Sequence, residues 1–253
     1  MNMMTLSKEN IHRGVLLLVN AAFPLQYEEN GDLISADSAF PDVLIKREAA
    51  NVLQRIFKKI GCRNKIIPVS GYRSPAEQTQ IYETSLKESG AEFTQKFVAL
   101  PYHSEHQTGL AIDLGLNQEN IDFICPDFPY EGICNEFRKM APHYGFIERY
   151  PKGKESITGI AHEPWHFRYV GYPHSEIMRK EGLTLEEYIN FTKLYPYSGK
   201  HLLMHNNRQD IEIFYVSANN GDTTIMLPEK TVYQVSGNNT DGFIVTLWGK
   251  QNE

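Results

Sequence analysis

Two imidazoles and one carboxylate, His106, Asp113 and His166, together with a second carboxylate, Glu163, are the groups in this 253-residue chain whose types and spacing can do chemistry. Two nitrogen ligands and one oxygen ligand suit a zinc ion in a hydrolase, because they leave a fourth position for water, whose pKa then falls to about 7. Glu163 stands three residues before His166 and is followed by Pro164. A residue before proline avoids the helical region, so Glu163 is held extended beside such an ion, where its carboxylate can take the water's proton. A solitary histidine in a strand is ordinarily a hydrogen-bonded core or surface residue. The joint pattern, Ser104-x-His106-x-x-Gly109-x-Ala111-x-Asp113 followed by Glu163-x-x-His166, is far more specific.

The elements that must position these groups can be read from periodicity. Residues 109–116 (GLAIDLGL) alternate as a strand, with Leu110, Ile112, Leu114 and Leu116 on one face. The other face carries Gly109, Ala111, Asp113 and Gly115, one acid among small residues that leave room for a ligand. Residues 165–170 (WHFRYV) alternate again and put His166, Arg168 and Val170 opposite Trp165, Phe167 and Tyr169. A short apolar run over 65–71 leads into Ser74-Pro75-Ala76-Glu77, a capping box with proline at the first helical position, so a helix is expected over 75–88. Arg73 then lies at a strand-to-helix junction, where side chains project into clefts. Further helices are expected over 44–60, ended by Gly61, over 133–144, ended by Gly145, and from a second capping box at 184–187 to about Tyr195-Pro196.

Beyond that point the character changes. Four runs of strand formers, 211–216, 223–227, 231–235 and 243–248, are separated by turn residues such as Asn219-Asn220-Gly221-Asp222. The fold expected is α+β: a central antiparallel sheet with helices carrying a single-zinc cleft over residues 1–196, and a small antiparallel β appendage over 197–253.

Composition narrows the function classes. A net charge of -6 with no block of Lys and Arg leaves no electrostatic footprint for nucleic acid or an anionic membrane. Cys62, Cys125 and Cys134 are odd in number and lack Cys-x-x-Cys spacing, so a reducing, cytoplasmic setting is the simpler expectation. The apolar run over 14–25 (GVLLLVNAAFPL) is too short to span a bilayer. It reads as a signal-peptide core or as a buried strand over 15–19, and mixed charges before it favour the strand.

With these motifs in view, the sequence resembles the zinc D-Ala-D-Ala carboxypeptidases and dipeptidases of the VanX and VanY type, most of all the bifunctional VanXY enzymes of vancomycin resistance. Residues 145–171 and the segment Ser70-Gly71-Tyr72-Arg73-Ser74 carry the likeness further, and it covers roughly residues 12–194. The resemblance implies one Zn2+ on His106, Asp113 and His166, with Glu163 as general base. It implies that Arg73 stabilises the oxyanion, in keeping with a fixed guanidinium in a dry site, and that Gln78 and Ser104 contact substrate. His103 lies near enough to compete for the metal, but the family motif places the ligand after Ser104. His143, His162, His174, His201 and His205 are read as solvent-facing.

The substrates implied are the D-Ala-D-Ala dipeptide and muramyl pentapeptide precursors. A dipeptidase must neutralise a free ammonium, most simply with a carboxylate near Arg73, whereas Ser70, a further substrate-side candidate on the strand entering the site, is neutral. Carboxypeptidase activity is therefore expected to matter at least as much as dipeptidase activity. Two other readings share the metal motif: a phage-type endopeptidase that cuts the L-Ala-D-Glu bond of the cell wall, and a zinc-stabilised binding domain without catalysis.

Overall fold

The computed structural model describes residues 1–27, 31–62, 64–205, 209–218 and 221–249. The chain packs as two units, Val19–Thr184 and a discontinuous one made of Met1–Leu18 with Leu185–Glu253. The boundary read from sequence at 196/197 falls within the second of these, because strand β1 (Asn2–Leu6) and helix α7 (Leu185–Thr192) pack with the strands that follow.

In the Val19–Thr184 unit a hairpin, β2 (Leu33–Asp37) and β3 (Phe40–Lys46), runs into α1 (Arg47–Ile60), followed by β4 (Ile66–Ser70), α2 (Pro75–Glu88) and α3 (Gly90–Phe97). Then come β5 (Ala111–Leu116), α4 (Gly132–Met140), β6 (Phe146–Tyr150), α5 (Glu155–Thr158), β7 (Glu163–Tyr169) and α6 (His174–Glu181). The sheet order is β4-β5-β7-β6, antiparallel throughout. One face is apolar: Ile112, Leu114 and Phe167 pack with Leu53, Ile56 and Phe57 of α1, with Phe137 of α4 and with Phe128. The Phe167 ring lies edge-on to Phe137 at 4.9 Å and to Phe128 at 5.3 Å. Burying each such side chain stabilises the fold by about 1.5–3 kcal/mol.

The α+β class and the strand–helix order match the sequence reading, with local differences. The helix expected over 44–60 starts at Arg47, because Leu44 and Ile45 pair with Ser35 and Ile34 in the β2–β3 hairpin, which sequence did not announce. Its end is as expected, with Gly61 left-handed and its N–H donating to the Phe57 carbonyl. The helix expected over 133–144 is α-helical only to Met140 and tightens into a 3-10 turn over Ala141–Tyr144, where Pro142 supplies no N–H. The apolar residues 15–19 are buried but form neither helix nor strand.

In the discontinuous unit, β8 (Leu202–His205), β9 (Asp210–Ser217), β11 (Val232–Gly237) and β12 (Gly242–Trp248) form a sheet in the order β11-β12-β9-β8. The run over 223–227 does not join it: β10 (Thr223–Leu227) pairs antiparallel with β1. The reason is burial, since Leu6, Ile225 and Leu227 share one apolar cluster with Phe214, Phe243, Val245 and Leu247. Asn219 and Asn220 of the expected turn lie outside the described residues. Among the described residues no helix is long and apolar enough to cross a membrane.

Candidate metal centre

Three strands set the centre in a row. Asp113 on β5 is paired across the sheet with Ser70 on β4 and with His166 on β7, so all three project from the face opposite the apolar core. The third donor comes from a 3-10 turn, Glu105–Thr108, that delivers the chain to β5 and ends at Gly109 with φ +69°. Glycine suits this turn, because an L side chain is strained in the left-handed backbone there and its Cβ would lie 2.8 Å from Leu33 Cδ2.

His106, Asp113 and His166 are buried, and each offers a ligand atom such that all three lie within 4.8 Å of one another. A carbonyl only accepts, so His106 Nδ1, 2.6 Å from the Gly71 carbonyl oxygen, carries the proton and Nε2 is the free donor atom. Nε2 lies 3.1 Å from Asp113 Oδ2, and His166 Nδ1 lies 2.9 Å from Asp113 Oδ1. Two imidazole nitrogens converging on one carboxylate in a buried cleft fit a transition-metal ion of the zinc type.

Glu163 faces the same cleft, its Oε2 3.7 Å from His166 Nδ1. Strict alternation would put residues 163 and 166 on opposite faces. Between the pairs Glu148–Phe167 and Tyr150–Glu163, β6 advances from 148 to 150 while antiparallel β7 runs back from 167 to 163, so regular alternation does not hold across this stretch. The approach to Glu163 is held by Arg138, a residue the sequence reading missed, which donates to the carbonyls of Pro164 (2.8 Å), Phe128 (3.1 Å) and Pro129 (3.0 Å) and to Glu148.

Arg73 follows β4 and precedes the capping box, which forms as expected around Ser74 and Glu77. Its Nη2 is 3.1 Å from Asp113 Oδ2, its Nε donates to Ser70 Oγ at 2.9 Å and its Nη1 to Gln78 Oε1 at 3.4 Å. Gln78, fully buried, is itself anchored to the Ala99 carbonyl at 2.8 Å. Ser70 and Gln78 thus grip the arginine, and neither lines the cleft, whereas Ser104 does, beside Arg73, His106, Glu163 and Trp165.

Burial raises the pKa of Asp113 and of Glu163, and their neighbours then separate them. His106 and His166 outweigh burial at Asp113 and hold it far below the usual carboxylate range. At Glu163 burial wins over His166 and pushes the carboxyl up to about 8, Asp113 adding to the rise. Burial, helped by Arg73, lowers His106 to about 4, whereas at His166 burial is outweighed by Asp113, Glu105 and Glu163 together, which lift it to about 9.

Sequence reasoning also missed Glu105, buried beside Arg149 and Arg168; neither periodicity nor spacing marks it. Of the declined histidines, His174 is a correction: it is buried rather than solvent-facing, and burial holds its pKa down to about 3. His162 and His201 are half-buried, one stacked on Tyr130 and the other on Phe214. His143 and His205 are exposed, as expected.

A family model described as D-alanyl-D-alanine carboxypeptidase, VanY, matches residues 42–172, which contain every residue of this centre. The chain belongs to the VanY family. A VanY-family relative from Enterococcus gallinarum, the bifunctional D-Ala-D-Ala dipeptidase and D-Ala-D-Ala carboxypeptidase VanXYC, is 46% identical over 178 residues, 70% of this chain and 94% of the relative. Among solved structures, the vancomycin-resistance D,D-dipeptidase VanXYg in complex with a D-Ala-D-Ala phosphinate analogue is 59% identical, with a TM-score of 0.96 over 98% of each chain. A VanY D,D-pentapeptidase variant from a VanB-type resistance cassette, in complex with Zn(II), is 30% identical, with a TM-score of 0.57 over 70% of this chain and 99% of the other.

Proposed function

We propose that this VanY-family chain is a zinc-dependent D,D-peptidase. It removes the terminal D-Ala from peptidoglycan precursors ending in D-Ala-D-Ala, hydrolyses the D-Ala-D-Ala dipeptide as well, and so contributes to vancomycin resistance. The observation that carries this reading is Glu163, a buried carboxylate beside the His106, Asp113 and His166 donor set. A zinc-stabilised binding domain has no use for a base there.

A single Zn2+ would be held by His106 Nε2, an Asp113 oxygen and His166 Nδ1. When bound, zinc supplies a Lewis acid that polarises the scissile carbonyl and lowers the pKa of water. Glu163 takes the proton of the attacking water and returns it to the departing D-alanine amine. Arg73, restrained by Ser70 and Gln78, donates to the carbonyl oxygen as negative charge develops on it, and Ser104 supplies a hydroxyl at the cleft wall.

Substrate length is the finer part of the reading. Of the cleft-lining carboxylates, Asp113 and Glu163 belong to the centre and Glu105 is taken by two arginines. None is left over for a substrate ammonium. Past Val98, Ala99, Tyr150 and Ile160 the cleft adjoins a hollow of about 240 Å³ lined by Asn20, Tyr82, Leu100 and His103, again without a carboxylate. These features favour the longer precursor, whose D-Ala-D-Ala end carries no free ammonium. Action on soluble precursors places the enzyme in the cytoplasm, in keeping with its free cysteines.

The test is release of D-alanine from the dipeptide and from the pentapeptide precursor, with zinc present or chelated. Zinc-dependent release from both, with the precursor cut at least as efficiently, is expected. A dipeptide hydrolysed far faster than the precursor sinks the length argument, and zinc binding without release from either sinks the D,D-peptidase reading in favour of the cell-wall endopeptidase, which a turbidity assay on purified wall would then report.

A further inference from the structure

Glu105 is a buried ionisable group that the proposed chemistry does not use. Its Oε1 lies 2.8 Å from Arg149 Nε and 2.8 Å from Arg168 Nη1, and the side chains of all three residues are wholly buried. The other oxygen, Oε2, is buried without a hydrogen-bond partner, and so is His166 Nε2, which faces it at 3.7 Å. Two buried polar atoms of complementary type, both unsatisfied and turned toward each other, are costly unless they pair. The gap is somewhat longer than the usual 2.7–3.2 Å of a hydrogen bond, and neither atom has another hydrogen-bond partner.

We propose that Glu105 is a positioning residue of the metal centre: its Oε2 accepts the Nε2–H of His166 and so fixes the tautomer in which Nδ1 presents its lone pair beside Asp113. The inference rests on the reading of His106, Asp113 and His166 as zinc ligands. Arg149 and Arg168, by occupying Oε1, leave Oε2 as the only oxygen of Glu105 for the ring. Glu105 and His106 share the turn Glu105–Thr108. One turn therefore serves both histidines, supplying His106 as a ligand and orienting His166 through its neighbour. His106 is oriented in the same manner by the Gly71 carbonyl on its Nδ1–H. Such outer partners set which ring nitrogen meets the metal and raise its basicity.

The substitution Glu105→Gln separates this role from a structural one. The glutamine carbonyl can still accept from Arg149 and Arg168, which turns its amide N–H groups toward His166 Nε2. A donor there selects the wrong tautomer, with the proton on Nδ1. The expected result is zinc affinity reduced by about 10–100-fold in chelator competition, with kcat/KM at limiting zinc falling in parallel and the thermal midpoint of the zinc-free protein little changed. Wild-type zinc affinity in that variant overturns the inference. Should the variant fail to fold, ¹⁵N spectra of the zinc-loaded wild type decide: a protonated Nε2 and a metal-bound Nδ1 on His166 support the role, and the reverse overturns it. A wild-type protein that takes up no zinc sinks the metal reading itself, an outcome distinct from either.

Discussion

Asp113 and Glu163 are carboxylates of the same cleft, equally buried, yet the structure treats them oppositely. Asp113 sits in the middle of the sheet, paired in register with His166 and approached by His106 Nε2 and Arg73 Nη2, so that burial is outweighed and the group stays anionic. Glu163 sits at the start of β7, where an irregularity opens the strand, and burial pushes its carboxyl up to about 8. The difference teaches that equal burial does not mean equal role. A carboxylate saturated by cationic and imidazole neighbours suits a permanent ligand, while one left short of partners suits proton traffic.

That contrast breaks if the two residues respond alike to neutralisation. Glu163→Gln is expected to lower kcat by about 10²–10⁴-fold while zinc stoichiometry stays that of the wild type. Asp113→Asn should instead lose zinc first, seen as metal content after dialysis, with activity lost as a consequence. If Glu163→Gln also empties the site of zinc, both are ligands and the assignment of a base is wrong.

Next in size is the arginine that leans on Asp113. Replacing Arg73 by alanine removes the donor proposed for the oxyanion, and a kcat lower by about 10²–10³-fold is expected with zinc retained. Gln78→Ala, which removes one of the groups restraining that guanidinium, should lower kcat by a smaller factor and leave zinc affinity unchanged. An effect of Gln78→Ala on zinc binding would show that the Arg73 and Asp113 ends of the cleft are not separable.

A smaller effect belongs to a buried histidine outside the centre. Burial holds the pKa of His174 down to about 3. Above the ordinary histidine pKa of about 6.5 both folded and unfolded chains carry it neutral, so it makes no difference there. As pH falls from about 6.5 toward 3 the unfolded chain binds the proton and the folded one resists, so stability is lost on acidification. Denaturant midpoints measured through this window should fall less steeply for His174→Gln, by at most about 1.4 kcal/mol per pH unit. An unchanged slope would show that the folded protein protonates His174 as readily as the unfolded chain does.

Phe167 supports the same sheet from its apolar side, directly across from Ile112. Phe167→Ala should cost about 3–5 kcal/mol in chemical denaturation. Loss of zinc affinity in that variant without loss of stability would contradict the picture of a rigid sheet holding the centre.

Local patterns carried much of this protein. Alternation over 109–116 put Asp113 opposite the apolar face, the Ser74–Glu77 box placed Arg73 at a junction, and Gly61 and Gly145 marked helix ends, because capping and pleating act over a few residues and leave their trace in order. His106, Asp113, His166 and Glu163 were legible for the same reason, as a motif whose spacing is local within each half. What folding alone decided depends on contacts between residues far apart in the chain. Arg149 and Arg168 reach Glu105 from 44 and 63 positions away, Arg138 steadies the approach to Glu163 from a neighbouring helix, and β1 finds β10 from the other end of the sequence. The different environments of Asp113 and Glu163 belong to this second class. A sequence names the ionisable group, but its desolvation and its charged neighbours exist only once the sheet has formed.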